Sequence, residues 1–231
     1  MQKKWQMQKQ RDLEPRDIRP HTQEELSPEV IELIDEFINL ELKTLLDKIA
    51  EVPGDIIELG AWTGNNSVQF MWQAPLRKYI GFDTFNGYTK EDIETSPNKK
   101  GLLANEGRWN HNEKETVQRL QNFKSAYALG EFEIIKGDLK ETLPEYIKEE
   151  KVKEVAMLYV DCNAYLPAIR GIEAVYPIMP KGGIICIDEH QVGGETKALL
   201  EAADKYELEV IDTGFPFISG PNSNPSKYVI K

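Results

Sequence analysis

The sequence predicts an α/β fold, a doubly wound and mostly parallel sheet with helices on both faces. Short apolar runs of strand length alternate with segments of helical period from residue 55 to the C-terminal region. Repeated βα units of this length imply a parallel sheet that is covered on both faces. We expect only the final strand, which follows a loop rich in Pro, Gly, Asn and Ser, to run antiparallel.

The predicted elements follow one another in a regular order. Ser27-Pro28 should begin the first helix, since Ser is a favoured N-cap and Pro fits the first helical position. Apolar residues then recur at the helical period to about residue 50, and Pro53-Gly54 ends the helix. Strands are predicted at 55–59, 78–83, 132–136, 155–160, 184–187, 208–211 and 227–230. Further helices are predicted at 65–72, 113–127, 143–149, 164–176 and 195–206.

One domain accounts for most of the chain. Residues 28–231 have a suitable length for a single α/β domain. Residues 1–27 are polar and punctuated by proline, which predicts an N-terminal arm or lid. Residues 84–112 form a long insertion rich in Gly, Asn, Lys and Glu. A loop of that length in a compact domain is usually a binding loop or a lid, so we expect substrate specificity there.

The charge balance disfavours two classes of partner. The chain carries 39 acidic and 28 basic residues and a net charge of −11, whereas nucleic acids and anionic membranes both require a basic face. No apolar run has the length of a membrane span, and the charged N-terminus does not resemble a signal peptide. Cys162 and Cys186 fall in or beside predicted core strands, which predicts reduced thiols and a cytoplasmic protein. We also expect a homo-oligomer, although the N-terminal arm and first helix could equally cover the sheet.

Acidic residues end two successive predicted strands. Asp161 follows the strand at 155–160, and Asp188 with Glu189 follows the strand at 184–187. Because the carboxyl ends of neighbouring parallel strands converge on one crevice, we expect the three carboxylates to lie together. Such a group requires a cation or a proton among its members, and oxygen ligands favour a hard ion such as Mg²⁺ or Ca²⁺. The alternative is that each acid caps the helix that follows its strand.

A glycine-containing turn after the first strand predicts a cofactor site. Glu58, Gly60 and Gly64 form an E-x-G-x-x-x-G arrangement, in which the glycines allow a sharp turn and a close approach of the next helix. A nicotinamide-binding fingerprint would need another glycine where this chain has Trp62. The carboxylate before the turn suits a ligand with an ammonium or sulfonium group better than one with two phosphates.

Two later acidic strand ends extend this site. Asp83 ends the second strand, where an acidic residue can bind both hydroxyls of a ribose. Asp138 follows Gly137 after the third strand, where it could contact an adenine amino group. The alternative for both residues is an ordinary role in a cap or turn. Together with the glycine turn, they favour a nucleoside-type cofactor.

Four blocks of the sequence resemble the macrocin O-methyltransferase family. They read GDIIELGAWTGNNSVQF, YIGFDTFNGY, KGDLKETLP and LYVDCNAYLPAIRGIEAVYPIMPKGGIICIDEH, and they occur in the family's order. The resemblance extends from about residue 28 to the C-terminus. It implies a class I, Rossmann-like methyltransferase that uses S-adenosylmethionine and Mg²⁺. The expected substrate is a hydroxyl of a small molecule, such as a sugar or another natural-product intermediate.

The resemblance also implies roles for individual residues. The cofactor-binding positions would be Glu58, Gly60, Ala61, Trp62, Gly64, Ser67, Asp83, Thr84, Gly137, Asp138 and Asp161. The metal ligands would be Asp161, Asp188 and Glu189. The chain departs from the family pattern at two points. Glu189 stands where the family usually has Asp, and Asn163 stands where it usually has a second carboxylate.

Methyl transfer to a hydroxyl also needs a group that removes the proton. His111, at the end of the insertion, is one candidate because histidine titrates near neutral pH. Asp161, acting while bound to metal, is the other. His190 is expected behind the metal ligands. Several residues of the insertion suit contacts with a ring of the substrate: Phe85, Tyr88, Arg108 and Trp109.

The residues leave other functions open. A catechol-type methyltransferase would carry a lysine three residues after its first metal aspartate, where this chain has Ala164. Methylation could also be directed to nitrogen. Zinc bound by the two cysteines and His190 is disfavoured because C-x-x-C spacing is absent. A binding or regulatory protein could keep the fold without catalysis, but the three retained carboxylates argue against that function.

Overall fold

The computed structural model describes residues 39–97, 105–127, 130–189, 193–215 and 225–231. The predicted N-terminal arm and the predicted helix start at Ser27-Pro28 lie outside these ranges. The described end of the first helix is α1 (Leu40–Lys48). Its N-cap Asn39 accepts a hydrogen bond of 2.8 Å from the backbone N–H of Leu42.

The remaining elements alternate along the chain as the sequence predicts. The strands are β1 (Asp55–Leu59), β2 (Tyr79–Asp83), β3 (Phe132–Lys136), β4 (Val155–Val160), β5 (Ile184–Ile187), β6 (Ile211–Asp212) and β7 (Lys227–Ile230). The helices are α2 (Asn65–Gln73), α3 (Lys90–Thr95), α4 (Glu113–Tyr127), α5 (Leu139–Lys148), α6 (Tyr165–Val175) and α7 (Gly194–Tyr206). None of the described helices combines the length and apolarity needed to cross a bilayer.

The strands form one sheet in the order β3-β2-β1-β4-β5-β7-β6. Strands β1 to β5 all pair in parallel, and β7 runs antiparallel to both of its neighbours, β5 and β6. This topology confirms the doubly wound fold and the antiparallel final strand. The direction of winding reverses between β1 and β4, so the crevice outside the carboxyl ends of these two strands is the expected ligand site.

Two apolar layers hold helices against the faces of the sheet. On one face, α5, α6 and α7 pack on alternate strand residues such as Ile57, Leu59 and Phe82. On the other face, α1, α2 and α4 pack on Ile56 and Tyr159. Because successive residues of a strand point to opposite faces, each apolar strand contributes to both layers. Burial on both faces explains why the strands read as continuous apolar runs.

The structure differs from the predicted elements in three places. Helix α3 lies inside the insertion, where the sequence predicts only a loop. Thr89 and Asp92 form a capping box that begins this helix, with Asp92 accepting a 2.9 Å hydrogen bond from the Thr89 N–H. Helix α5 begins four residues earlier than predicted because Asp138 caps it, and Pro144 lies within it. Strand β6 is limited to two residues at the sheet edge, Ile211–Asp212.

Candidate active site

A cavity of about 220 Å³ opens at the carboxyl ends of the central strands. Residues that follow five strands line it: Gly60, Asp83, Thr84, Asp138, Asp161 and Asp188. Trp62, Tyr88, Asp92, Trp109 and Asn163 complete its polar and aromatic wall. The strand ends meet because the ladder continues past the strands, with the Asp161 N–H donating to the Leu59 carbonyl at 2.8 Å. The crevice predicted from the strand-end residues is therefore present.

The turn after β1 is clamped between β4 and α4. Gly60 has a φ of +100°, and a Cβ at this position would lie 1.9 Å from the Asp161 carbonyl oxygen. Only glycine fits this close backbone approach. On the other side of the turn, Thr116 Oγ1 donates to the Trp62 carbonyl at 2.6 Å, and Arg119 Nη1 donates to the Thr63 carbonyl at 3.1 Å. These contacts fix the turn before any ligand binds.

Asp83 joins this turn to the insertion. Its Oδ2 accepts the N–H of Trp62 at 2.8 Å, and its Oδ1 accepts the N–H of Phe85 at 2.6 Å. Burial raises the pKa of the Asp83 carboxyl, while these two N–H groups and the nearby His111 oppose that rise. Each oxygen retains capacity for a further hydrogen bond, since a carboxylate oxygen carries two lone pairs.

Trp62 offers a donor with no partner. Its indole lines the cavity and makes an edge contact with Trp109, with ring centroids 4.9 Å apart. The Nε1–H is buried and has no hydrogen-bond partner within the described residues. A buried donor left unpaired costs about 1–3 kcal/mol. A ligand acceptor at this point in the cavity would satisfy it.

Glu58 and Ser67 lie behind the cavity rather than in its wall. Glu58 is 1% exposed, and its carboxylate accepts hydrogen bonds from Ser67 Oγ at 3.1 Å and from the Tyr79 hydroxyl. Burial raises the pKa of Glu58 to about 7, although the hydrogen bonds from Tyr79 and Ser67 act in the opposite direction. These groups form a buried network beneath the glycine turn, so any effect of Glu58 on a cofactor passes through that turn.

Asp138 lies at the edge of the cavity, where it begins α5. Its Oδ1 accepts the N–H of Lys140 at 3.0 Å, as an N-cap does. The Lys140 ammonium lies 3.3 Å from Asp138, 3.3 Å from Asp92 and 2.9 Å from Glu91. Lys140 thereby links the start of α5 to the short helix α3 of the insertion. Asp138 therefore both caps α5 and lines the cavity.

Three carboxylates cluster at the cavity, two of which line its wall. One carboxylate oxygen each from Asp161, Asp188 and Glu195 lies within 4.8 Å of the others. Burial raises the pKa of Asp161 well above its usual value, and the negative charge of Asp188 raises it further. Burial and the same neighbour likewise raise the pKa of Glu195. When ionised, the three carboxylates repel one another, and a bound cation would relieve this repulsion.

The third carboxylate of this cluster is Glu195, and the metal-ligand function of Glu189 stays a prediction. Glu189 Oε2 accepts the N–H of Thr196 at 2.9 Å, so its carboxylate lies at the start of α7. A Cβ at Gly193 would overlap the Glu189 carboxylate, which shows how closely that side chain folds over the helix start. Glu189 therefore has the capping contact that is the alternative function of a strand-end acid, and Asp161 and Asp188 meet as expected.

Other predicted positions fall outside the cavity wall. His111 makes a backbone hydrogen bond of 3.2 Å to Phe85, and its Nε2 lies 3.9 Å from Glu115. Ala61, Gly64 and Gly137 shape the backbone around the site without lining it. His190 lies outside the described residues. The base function of His111 and the cofactor contacts of these residues stay predictions.

Asn163 and Glu195 are functional candidates that the sequence did not predict as site residues. Asn163 has a left-handed backbone, with φ of +54°, and its N–H donates to Glu195 Oε1. Glu195 appears in the sequence as an ordinary acidic residue in the first turn of a predicted helix, where acids stabilise the helix dipole. No pattern in the sequence distinguishes it from such a residue.

The model of the family described as Macrocin-O-methyltransferase (TylF) matches residues 38–210, more than half of the chain. The chain belongs to the macrocin O-methyltransferase family. This family member is an S-adenosylmethionine-dependent methyltransferase, as the resemblance implied. No curated protein matches the chain with significance.

Solved structures support the fold of this family member. CalS11, a calicheamicin methyltransferase, is 21% identical with a TM-score of 0.66, over 99% of this chain and 91% of CalS11. An apo CalS11 structure, described as a TDP-rhamnose 3′-O-methyltransferase, has 21% identity and a TM-score of 0.55, over 99% and 93% of the two chains. The O-methyltransferase NovP is 19% identical with a TM-score of 0.61, over 82% of this chain and 79% of NovP.

Proposed function

We propose that this methyltransferase transfers a methyl group from S-adenosylmethionine to a hydroxyl of a sugar or sugar-bearing small molecule, with the help of a hard divalent cation such as Mg²⁺. The observation that carries the proposal is the cluster of three carboxylates beside the glycine turn, with Asp161, Asp188 and Gly60 all lining one cavity. A structurally similar enzyme described as acting on TDP-rhamnose supports a sugar as the acceptor class.

The residues around the glycine turn fit the cofactor. S-adenosylmethionine supplies an electrophilic methyl group on a positively charged sulfonium. Gly60 lets the turn lie directly against the Asp161 backbone, which shapes this part of the cavity, and the Trp62 Nε1–H offers a buried donor that has no partner among the described residues. Asp83 and Asp138 offer carboxylates to the polar groups of a nucleoside. The excess of acidic groups around the cavity favours a cationic ligand over an anionic one.

The carboxylate cluster fits a hard cation. Mg²⁺ supplies a Lewis acid that lowers the pKa of a nearby hydroxyl. Asp161 and Asp188 are the residues at the strand ends that would hold it, and both line the cavity. Within the described chain, no ion pair joins Asp161 or Glu195 to a Lys, Arg or His side chain. An external cation is therefore the natural partner for this negative charge.

Tyr88 is the residue that we assign to binding the acceptor. It lines the cavity at 9% exposure, and its backbone is held by hydrogen bonds with Arg108 and Gly107. Burial raises the pKa of the phenol, and the acidic groups of Cys162 and Glu195 raise it further. The hydroxyl therefore stays protonated and can donate a hydrogen bond to an acceptor oxygen.

Asp161 is the better-placed group to take the acceptor proton. It lines the cavity next to the other carboxylates, whereas His111 lies outside the wall beside Glu115. A general base must lie within hydrogen-bond reach of the proton it removes. Trp109, which is 39% exposed at the cavity wall, offers an aromatic surface for a sugar ring. Positioning of the two reactants can supply roughly 7–11 kcal/mol of barrier reduction.

Calorimetry and an activity assay test this function. The full-length protein should bind S-adenosylmethionine and should methylate TDP-rhamnose or another nucleotide-linked deoxysugar in a panel. EDTA and the substitution Asp161→Asn should each abolish transfer while cofactor binding persists. Asp204→Asn, at an exposed position of α7, is the matched control and should keep full activity.

Three results would contradict the proposal. Failure to bind S-adenosylmethionine would remove the methyltransferase function itself. Undiminished methyl transfer in excess EDTA would contradict the proposed dependence on a divalent cation. Binding of the cofactor without transfer to any hydroxyl in the panel would favour a nitrogen acceptor or a regulatory protein. A cytoplasmic location and a homo-oligomer stay predictions.

A further inference from the structure

We infer that Glu195, from the first turn of α7, is the third carboxylate ligand of the divalent-cation site, and that Glu189 serves as the cap that positions it. This inference rests on the metal dependence proposed above. It names the residue that would supply the third negatively charged ligand of the ion.

The position of Glu195 is set by direct contact between two helix starts. Glu195 is 0% exposed although it lies in the first turn of a helix. Gly194 precedes it, and a Cβ at Gly194 would lie 2.4 Å from the backbone nitrogen of Tyr165. The start of α7 therefore packs on the start of α6 with no side chain between them. This contact carries Glu195 to the end of β4, where Asp161 lies.

The two oxygens of Glu195 have different environments. Oε1 accepts the N–H of Asn163, which fixes the orientation of the carboxylate. Oε2 is buried and has no hydrogen-bond partner within the described residues. An unsatisfied carboxylate oxygen in a buried position is costly unless a cation or a proton meets it. A metal ion between Glu195 and Asp161 would satisfy it.

The spacing of the cluster suits a single ion. Oxygens on opposite sides of a bound ion lie about 4.0–4.2 Å apart for Mg²⁺ and about 4.6–5.2 Å apart for Ca²⁺, twice the metal–oxygen distances. The three oxygens of Asp161, Asp188 and Glu195 lie within 4.8 Å of one another. One hard cation can therefore contact all three once the side chains draw together, by more for Mg²⁺ than for Ca²⁺.

Glu189 has a different task. Its Oε2 accepts the N–H of Thr196, and its carboxylate folds over Gly193 at the positive end of the α7 dipole. A carboxylate there stabilises the start of the helix and so holds the neighbouring Glu195 in place. We therefore expect substitutions at 189 and 195 to affect metal binding to different extents.

Titration of the full-length protein with Mn²⁺, followed by calorimetry or electron paramagnetic resonance, tests the inference. Glu195→Gln should weaken Mn²⁺ binding by more than about tenfold, since even the loss of a residue behind a metal ligand costs about 10–100-fold. Glu189→Gln should weaken it by less than about threefold, because the glutamine oxygen can still accept the Thr196 N–H and keep the cap, and Asp204→Asn should leave it unchanged. Binding of S-adenosylhomocysteine should be equal in all variants.

The outcomes separate this inference from the proposed function. Wild-type protein that binds no Mn²⁺, with or without S-adenosylhomocysteine, would remove the metal site and the inference together. Wild-type binding that survives Glu195→Gln, or that is lost in Glu189→Gln, would overturn the inference alone. If Glu195→Gln fails to fold, an anomalous map of wild-type crystals soaked in Mn²⁺ decides the question, because the ion must contact Glu195 and not Glu189.

Discussion

Asn66 Nδ2 donates a hydrogen bond of 2.8 Å to Asp161 Oδ2. Asn66 lies in the first turn of α2, directly after the glycine turn of the cofactor site, and Asp161 lies at the end of β4 in the carboxylate cluster. Asn66 is 5% exposed, whereas Asp161 is half-buried. A partly buried hydrogen bond to a potential metal ligand therefore joins the glycine turn to the carboxylate cluster.

We predict that Asn66→Ala weakens Mn²⁺ binding and methyl transfer by about 10–100-fold, because hydrogen bonds to a ligating carboxylate orient it. Calorimetry and steady-state kinetics measure both effects. Gln118→Ala is the matched control, since its amide makes an exposed hydrogen bond of 2.9 Å to Asn122 away from the site. Equal Mn²⁺ affinity in Asn66→Ala and wild type would show that the contact does not orient Asp161.

Tyr88→Phe should lower kcat/KM for the acceptor by about threefold to tenfold, the worth of a typical hydrogen bond. Thermal stability should not fall, because no described residue forms a hydrogen bond with the Tyr88 hydroxyl. Affinity for S-adenosylmethionine should also be unchanged. Steady-state kinetics with a varied acceptor, together with a thermal melt, measure these quantities.

Tyr146→Phe provides the opposite pattern as a control. The Tyr146 hydroxyl donates to Glu133 at 2.7 Å and accepts from Lys78 at 3.0 Å, away from the cavity. Its loss should reduce stability and leave kcat/KM for the acceptor intact. If Tyr88→Phe also lost stability with unaltered kinetics, the hydroxyl would be structural and its assignment to the acceptor would be wrong.

Gly60→Ala should destabilise the fold by roughly 2 kcal/mol or more and abolish cofactor binding. The added Cβ would lie 1.9 Å from the Asp161 carbonyl oxygen, and the φ of +100° is unfavourable for alanine. Gly214→Ala is a matched control, since Gly214 also has a positive φ but its Cβ would meet nothing within 4 Å. The unfolding free energy of that variant should fall by only about 1 kcal/mol. Urea denaturation compares the two, and equal losses would contradict a steric requirement at Gly60.

Glu58→Gln should make the stability of the protein less dependent on pH. Burial raises the pKa of Glu58 from 4.5 to about 7. Between these values the folded state keeps a proton that the unfolded state releases, so stability falls as the pH rises through this window. At about 1.4 kcal/mol for each pKa unit, the contribution of this residue is about 3 kcal/mol.

Urea denaturation between pH 4.5 and 7.5 in EDTA measures the effect. Glu58→Gln should reduce the fall in unfolding free energy over this range, because glutamine keeps the size of the side chain but does not titrate. The exposed substitution Asp204→Asn should leave the pH dependence as it is in the wild type. A wild-type slope in Glu58→Gln would show that Glu58 is ionised throughout the range.

Most of the helices and strands were predictable from the sequence, because the local periodicity of apolar residues determines them. The apolar runs at Val155–Val160 and Ile184–Ile187 predict β4 and β5 with the bounds that the structure has. The order of βα units then requires parallel pairing and places Asp161 and Asp188 at one crevice. Helix α3 was also within reach, since Thr89 and Asp92 have the spacing of a capping box.

The amino-acid sequence by itself therefore determined the fold class, the family, the position of the crevice and two of its three clustered carboxylates. Only the tertiary structure decided that Glu195 joins them while Glu189 caps α7, and that Glu58 lies behind the cavity. Strand ends are placed by local hydrogen bonding, which the chain pattern encodes. The direction of a side chain at a helix start depends instead on how α7 packs against α6 at Gly194, a contact between residues about thirty positions apart.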